Sequence, residues 1–549
     1  MRVRSTVLVS GDQASLAQGA AEVYRCFQQE LEAFGLKDEV FVSMLDDVGR
    51  HDIPPFVVVY PEAIVYGPVK PDQVHRLVEE HLYKGRAVAE WQAPAKELTG
   101  RIAWLMARKG TMPAEQRVVL ERVGRIDPES IDDYLLNGGY EGLGRALTQM
   151  KPEDVLAALD RAGLRGRGGA GFPTGRKLRF VSQAPGTPKY IVCNADESEP
   201  GTFKDRLILE GDPHSVLEAM AIAGYAVGAS EGYIYIRGEY RLAYARLEKA
   251  IAQARELGLL GQNLFGTAFG FDIHIHAGAG AYICGEETAL LESLEGRRGE
   301  PRSRPPYPVT DGLWGKPTAI NNVETLANVP PIIRYGSAWF RTYGTAQSPG
   351  TKVYTILGNV NVTGLIEVPM GITLREVIAI YAKGMKRGST LKLAQTGGSS
   401  GSVIPASLQD TPMDYESFAN AGVALGSGAL LICDQDTCVV DLARVLVNFF
   451  QRESCGKCTT CRVGTGHVYR LLTNIAEGTG KLSDLDQLLS LAQGLDQISN
   501  CGLGQTVATP IRDVLKHFRA EVEAHIKLKV CPAGVCSMSG RQATAVYKN

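Results

Sequence analysis

Three cysteines at two-residue gaps, Cys455-Gly456-Lys457-Cys458-Thr459-Thr460-Cys461, restrict the C-terminal third of this chain more than any other feature. Such a loop wraps three corners of a metal cluster at once, and a cubane needs four convergent thiolates. Cys501, in Asn500-Cys501-Gly502-Leu503-Gly504, is the candidate fourth ligand. Gly456, Gly464, Gly502 and Gly504 let backbone N–H groups approach the sulfurs. Tetrahedral zinc also accepts four cysteines, and four unmetallated thiols are a third reading. Three close cysteines with one remote partner is the commoner pattern for [4Fe-4S]. The surrounding segments 439–450, 468–476, 485–495 and 514–524 carry apolar residues at helical spacing, so the cysteines sit on a helical bundle.

The chain has 549 residues, enough for roughly three to five domains. A net charge of -2 gives no electrostatic reason to expect nucleic acid or an anionic membrane as partner. No secretory leader is visible, and no apolar run reaches the roughly 18 residues a membrane span needs. The 11 cysteines are odd in number and spaced for metal, which points to a reducing compartment, the cytoplasm.

The pattern divides into five segments. Residues 1–100 read as strand 3–9, helix 14–34, strands 56–60 and 63–66 around a Pro61-Glu62 turn, and helix 71–84. The order β-α-β-β-α suits a thioredoxin-like domain. Residues 97–112 read as a linker helix stopped by Pro113. Residues 101–345 form an α/β domain with Gly-rich turns, 346–415 a small sheet-and-helix unit, 416–526 the bundle, and 527–549 a basic tail. The fold class is thus multidomain α/β plus α.

Three segments of the α/β block point to a cofactor cleft. Residues 166–175 contain G-x-G-x-x-G, followed by Arg176 and Lys177. A dinucleotide fingerprint needs a strand before it, whereas 154–162 read as a helix. The loop's N–H groups can still cradle a phosphate. A strand at 190–193 runs into Asn194, Asp196, Glu197 and Glu199, whose amide and carboxylates suit a flavin edge or a ribose. A strand at 271–276 runs into Tyr282, Gly285, Glu286 and Glu287 at a helix start. The macrodipole alone explains one acidic pair there. Three such segments in one block favour a cofactor.

Segments 166–175, 194–202, 282–288 and 320–326, with the Cys455–Cys501 set, resemble in order the NADH-binding flavoprotein subunit of respiratory complex I. They resemble equally its relatives in NAD-reducing and electron-bifurcating hydrogenases and NAD-dependent formate dehydrogenases, and the tail resembles the bifurcating-hydrogenase type. The resemblance covers about residues 115–525. It implies FMN, NAD(H), one [4Fe-4S] cluster, a Rossmann-like FMN/NADH domain and a ubiquitin-like β-grasp (SLBB) domain. By position it implies that Gly166, Arg167, Gly168, Gly169, Lys177, Asn194, Asp196, Glu197, Tyr282, Gly285, Glu286, Glu287, Asn321, Asn322 and Thr325 line the FMN. Phe172, Phe180 and Tyr307 would stack on adenine, and Glu199 and Glu287 would meet polar groups of the nucleotide. The implied reaction is hydride transfer from NADH to FMN, then passage of single electrons to the cluster.

The chain departs from those relatives at both ends. Their N-terminal domain often carries a [2Fe-2S] cluster, but here Cys26 stands alone, and residues 11–14 and 45–48 occupy the expected cluster loops. No cluster is expected there. In the tail, Cys531 and Cys536 cannot hold a cubane, but with Cys438 and His525 they compose a candidate Cys3His zinc set. Cys433 is the rival to Cys438, and free thiols are the competing reading. The expected partners are a small [2Fe-2S] thioredoxin-like subunit and a larger iron–sulfur or catalytic subunit. Two alternatives remain, the complex I subunit itself and a structural iron–sulfur scaffold without flavin chemistry.

Overall fold

A computed structural model of the chain describes residues 5–11, 13–37, 39–45, 54–60, 64–93 and 116–538. It divides into two compact units. One comprises Met1–Glu115 with Glu121–Asn137, and the other Gln116–Leu120 with Gly138–Asn549. The expected linker helix at 97–112 lies outside the described residues.

The first unit holds a four-stranded sheet in the order β2 (Val40–Leu45), β1 (Ser5–Ser10), β3 (Val57–Tyr60), β4 (Ile64–Tyr66). β1 pairs parallel with β2 and antiparallel with β3. The sequence order β-α-β-β-α therefore omits a strand. β2 is a short apolar run, which periodicity cannot separate from other buried segments. The helix expected over 14–34 is broken at Gly19, whose φ of 93° ends regular α geometry, leaving Gln13–Ala17 and Ala20–Ala33. Val23, Phe27 and Leu31 of the longer helix pack on Val7, Val9, Val57 and Val59. Of the two expected cluster-loop sites, residues 12 and 46–48 lie outside the described residues. The segment 121–137, expected with the α/β domain, belongs to this unit.

The second unit contains two sheets and a group of helices. Its parallel sheet has the order β7 (Asp272–Ala277), β6 (Glu231–Ile236), β5 (Tyr190–Ala195), β8 (Thr318–Asn322). Parallel strands covered on both faces read as continuous apolar runs, as β5 does. Helix Pro213–Val227, in the β5-to-β6 crossover, is buried at every residue but Tyr225. Strand order reverses between β5 and β8, which makes their C-terminal ends a topological switch point.

The second sheet is mixed, in the order β10 (Gly364–Pro369), β9 (Thr351–Gly358), β13 (Ala429–Asp434), β11 (Leu391–Thr396), β12 (Val403–Pro405). β13 pairs parallel with β9 and antiparallel with β11, at the centre of the sheet. The boundary expected at residue 415 thus falls inside this unit. A strand arriving about seventy residues after its neighbour β9 leaves no local signal of their pairing. Helices Val439–Glu453, Thr459–Ala476, Ser483–Ile498, Ala508–His517 and Arg519–Lys527 follow. Val440, Val447, Val468, Leu472, Leu488, Leu495, Ile511 and Val514 share one apolar core there.

Candidate active site and metal centres

Asn194, Asp196, Asn321, Asn322, Gly168, Lys177 and Gly285 gather at the C-terminal ends of the parallel strands, where open α/β sheets bind ligands. β5 and β8 end side by side, with Asn194 opposite Asn322 and Cys193 opposite Asn321. The Gly loop is closed by Gly166 N–H donating to the Phe172 carbonyl (2.9 Å) and Thr174 N–H to the Leu164 carbonyl (2.8 Å). It leads into helix Thr174–Gln183. A Cβ on Gly168 would stand 3.0 Å from Asn322 Cβ, so the loop lies against the end of β8. Gly171 needs its glycine twice over. Its φ is 64°, and a Cβ there would meet the Tyr415 ring at 2.5 Å.

Several of the named side chains belong to the scaffold of the cleft. The Arg167 guanidinium is fully buried and donates to the carbonyls of Thr351 (3.0 Å), Pro349 (2.9 Å) and Arg165 (3.3 Å). Its backbone N–H donates to Thr325 Oγ1 at 2.7 Å. The Glu197 carboxylate accepts from the N–H groups of Asp205 (3.0 Å) and Arg206 (2.9 Å) and from Tyr240 Oη (3.1 Å). It therefore caps helix Lys204–Gly211, and burial holds its carboxyl above the ordinary carboxylate range. Glu286 caps helix Glu287–Leu294 through the N–H groups of Thr288 (3.0 Å) and Ala289 (2.9 Å). The bland helix-start explanation thus accounts for Glu286.

Other groups remain available to a ligand. Asp196 accepts from Ser198 Oγ at 3.2 Å through Oδ1, but its buried Oδ2 has no partner. Burial raises this carboxyl from 3.8 to about 7. On the neighbouring strand, buried Asn321 Nδ2 also has no partner. An unsatisfied buried polar group costs about 1–3 kcal/mol, so an orphaned acceptor and an orphaned donor at one switch point fit a bound polar ring edge. Asn194 bridges the segments, donating Nδ2 to the Gly285 carbonyl (2.8 Å) and accepting Asp196 N–H (3.2 Å). Lys177 donates to the Ile320 carbonyl at 3.0 Å and lies 3.6 Å from Glu287, which pairs with Arg304 at 3.2 Å. Phe172, Phe180 and Tyr307 are 41, 39 and 54% exposed, so none is a core residue, and Arg176 lies over the Phe180 ring.

Two arrangements escaped the sequence reading. The Glu199 carboxylate accepts from Tyr282 Oη (2.7 Å) and from Ser400 N–H (3.1 Å) and Oγ (2.8 Å). Ser400 lies in a Gly/Ser loop of the mixed sheet, and only a Ser at a Gly-rich turn hinted at it. Beneath the cleft, Glu324 is buried between Lys204 (2.9 Å) and Lys352 (2.7 Å), with Asp205 at 2.7 Å from Lys204. Asn322 joins this network by donating to Asp205 at 2.6 Å. Burial lowers Lys352 to about 8 against the opposing pull of Glu324.

Cys455, Cys458, Cys461 and Cys501 pack around one apolar core. Cys458 and Cys501 each stand at a helix N-terminus, before Thr459–Ala476 and Gly502–Thr506. Burial pushes the Cys461 thiol up to about 11; the Ser454 hydroxyl opposes this, and the other three cysteines add to it. The four cysteines, near enough to act on the Cys461 thiol, are the donor set that a [4Fe-4S] cluster would hold as thiolates. Tyr282 joins this region to the cleft. Its N–H donates to Glu453 at 3.1 Å, and its ring meets Phe449 at 4.8 Å.

The ligand atoms of Cys438, His525, Cys531 and Cys536 all lie within 4.8 Å of one another. Cys438 Sγ is 3.3 Å from His525 Nε2 and 3.5 Å from Cys536 Sγ. Edges of a tetrahedral Cys3His zinc site measure roughly 3.5–3.8 Å for bonds near 2.0–2.3 Å. His525 Nδ1 faces the Glu521 carbonyl at 2.8 Å, which leaves Nε2 toward the sulfurs. Cys536 and burial push the Cys438 thiol to about 12. Cys433 lies on β13, outside this group.

Comparison with known proteins fits this geometry. Residues 159–331 match the Nuo51 FMN-binding domain, and residues 441–525 the NADH-ubiquinone oxidoreductase-F iron-sulfur binding region. The HndC component of the NADP-reducing hydrogenase of Solidesulfovibrio fructosivorans is 51% identical over 79% of this chain and 88% of its own. An F component of the NADH-quinone oxidoreductase of Rhizobium meliloti is 50% identical over 76% of this chain and 99% of its own. A solved NAD+-reducing [NiFe]-hydrogenase in the H2-reduced state aligns with a TM-score of 0.66 and 31% identity, over 96% of this chain and 86% of that one. With an FMN-binding domain and a [4Fe-4S] region in one chain, the protein belongs to the NADH-dehydrogenase-type flavoprotein oxidoreductase family, which spans the F components of NADH-quinone oxidoreductases and their counterparts in NAD(P)-reducing hydrogenases.

Proposed function

We propose that this chain is the electron-input subunit of a hydrogenase- or formate-dehydrogenase-type complex, with its flavin at the β5/β8 switch point and its cluster on Cys455, Cys458, Cys461 and Cys501. The observation that carries this reading is Tyr282, which touches Glu199 in the cleft and Glu453 and Phe449 ahead of the cluster loop. Cleft and cluster loop therefore share one wall, which keeps the electron path short.

Bound FMN would accept a hydride from NADH and release electrons singly to the [4Fe-4S] cluster. The chain's own groups bind and orient. Asp196 and Asn321 offer an acceptor and a donor to the ring edge, and N–H groups of the loop 166–175 cradle the phosphate. Phe172, Phe180 and Tyr307 offer aromatic faces to adenine, and Glu199 and Glu287 offer carboxylates to ribose hydroxyls. The first unit is a thioredoxin-like module, the mixed sheet a ubiquitin-like domain, and Cys438, His525, Cys531 and Cys536 hold zinc.

The hydrogenase-type assignment is supported by the solved NAD+-reducing hydrogenase, which aligns with 96% of this chain, N-terminal unit included. By sequence the hydrogenase and quinone-oxidoreductase relatives cover similar shares, 79% and 76%. The partners proposed are a small [2Fe-2S] subunit and a larger cluster-bearing or catalytic one, in the cytoplasm. No described helix is long and apolar enough to cross a membrane. The test is co-purification of the native complex with subunit identification. Hydrogenase or formate dehydrogenase subunits support the assignment, and membrane-domain subunits of a quinone reductase overturn it.

A further inference from the structure

Lys457 stands between the cluster cysteines Cys455 and Cys458, and its ammonium group donates to the carbonyl of buried Pro301 at 2.7 Å. Asn500, the residue before Cys501, donates Nδ2 to the same carbonyl at 3.4 Å. Arg298 reaches in the opposite direction, to the Cys455 carbonyl at 2.8 Å. Both cysteine segments are thus tied to residues 298–301. That stretch is itself anchored, because Arg302 N–H donates to Thr288 Oγ1 (2.9 Å) and its guanidinium holds Glu292, Glu295 (2.7 Å) and the Gly312 carbonyl (2.8 Å).

A lysine ammonium on a flexible stem normally stays in water, where its field is screened. Lys457 is itself exposed, but its ammonium is fixed on the Pro301 carbonyl at the edge of the C-x-x-C loop instead of moving freely. A cluster held by four thiolates is a net anion, and taking one electron from reduced flavin adds one more negative charge. No bond at the protein forms or breaks in that step. A fixed positive charge beside the loop favours the more negative state. We propose that Lys457, pinned on the Pro301 carbonyl, is a positioning residue that raises the cluster's reduction potential and so sets how readily it takes the flavin's electron. This rests on the assignment of the four cysteines to the cluster.

The test is an equilibrium redox titration of the FMN- and cluster-loaded protein, read by the EPR signal of the reduced cluster alongside iron content. Lys457→Gln keeps a hydrogen-bond donor and loses the charge. Its cluster should be about tenfold harder to reduce, equivalent to about 59 mV for one electron. Lys457→Arg should stay within about threefold of the parent. Asn500→Lys, which adds a second charge at the same carbonyl, should move the equilibrium the other way, and it decides the matter if Lys457→Gln loses iron. An unchanged potential in fully loaded Lys457→Gln, or in Asn500→Lys, overturns the proposal. So do equal shifts in the Gln and Arg variants, which a merely structural lysine would give. A parent protein without a [4Fe-4S] signal overturns the cysteine assignment instead.

Discussion

Tyr282 Oη donates to Glu199 Oε2 at 2.7 Å, and this one bond ties the segment before helix Glu287–Leu294 to the loop after β5. Ser400 completes the arrangement from the mixed sheet. Burial pushes the Glu199 carboxyl above its ordinary range, and the Tyr282 and Ser400 donors pull it back. Removing the Tyr282 donor must raise it further. Tyr282→Phe is therefore expected to shift the acid limb of the kcat/KM profile for NADH to higher pH and to lower kcat/KM several-fold on that limb. An unmoved profile would detach Glu199 from nucleotide binding.

Asp196 carries a linked prediction for the FMN-free protein. Its carboxyl rises from 3.8 to about 7 on folding, because burial penalises the charged form. A carboxyl raised by folding favours the native state at low pH. The advantage is complete below the unfolded value and disappears as pH climbs through the folded one. Thermal stability of the FMN-free protein should fall between about pH 4 and 7 by up to about 1.4 kcal/mol per pH unit from this group. Asp196→Asn should flatten that slope, measured by Tm against pH. A parallel slope in the variant contradicts the shift.

Glu324 separates two buried ammonium groups, Lys204 and Lys352. Taking one member from a buried ion network leaves an uncompensated charge and costs about 3–5 kcal/mol. Glu324→Gln should destabilise by that amount in denaturant titration, and the doubly altered Glu324→Gln, Lys352→Met should recover part of the loss. Failure of the second change to rescue would mean that the three charges do not act as a unit.

The Cys438, His525, Cys531 and Cys536 group predicts about one zinc per chain beyond the iron. His525→Gln should release it and cost more than about 3 kcal/mol, since it removes a ligand from a buried thiol group. Metal analysis of the intact protein checks this. Iron without zinc would leave these side chains as ordinary thiols and imidazole.

The family and its cofactors were legible in sequence because metal and phosphate chemistry fixes residue type at short spacing. Cys455, Cys458 and Cys461 lie within seven residues, and the Gly loop within ten. Strand pairing over long separations was not legible. β2 and β13 are short apolar runs whose neighbours lie far along the chain. Side-chain direction was hidden too. Arg167 and Glu197 occupy a cofactor motif, yet the guanidinium serves backbone carbonyls and the carboxylate serves a helix start. Ser400 showed only as part of a Gly/Ser loop, because its partner Glu199 lies about two hundred residues away.

In the proposed function, a flavin held at the β5/β8 switch point would take a hydride from NADH, and a cluster on Cys455, Cys458, Cys461 and Cys501 would receive its electrons. The most direct measurement is anaerobic NADH addition to FMN-loaded protein, followed together by flavin absorbance and EPR, in the parent and in Cys501→Ser. Flavin bleaching is expected in both proteins, with a [4Fe-4S] signal that the parent shows and the variant loses or alters. A protein that binds no FMN, or a signal identical in both, would contradict it.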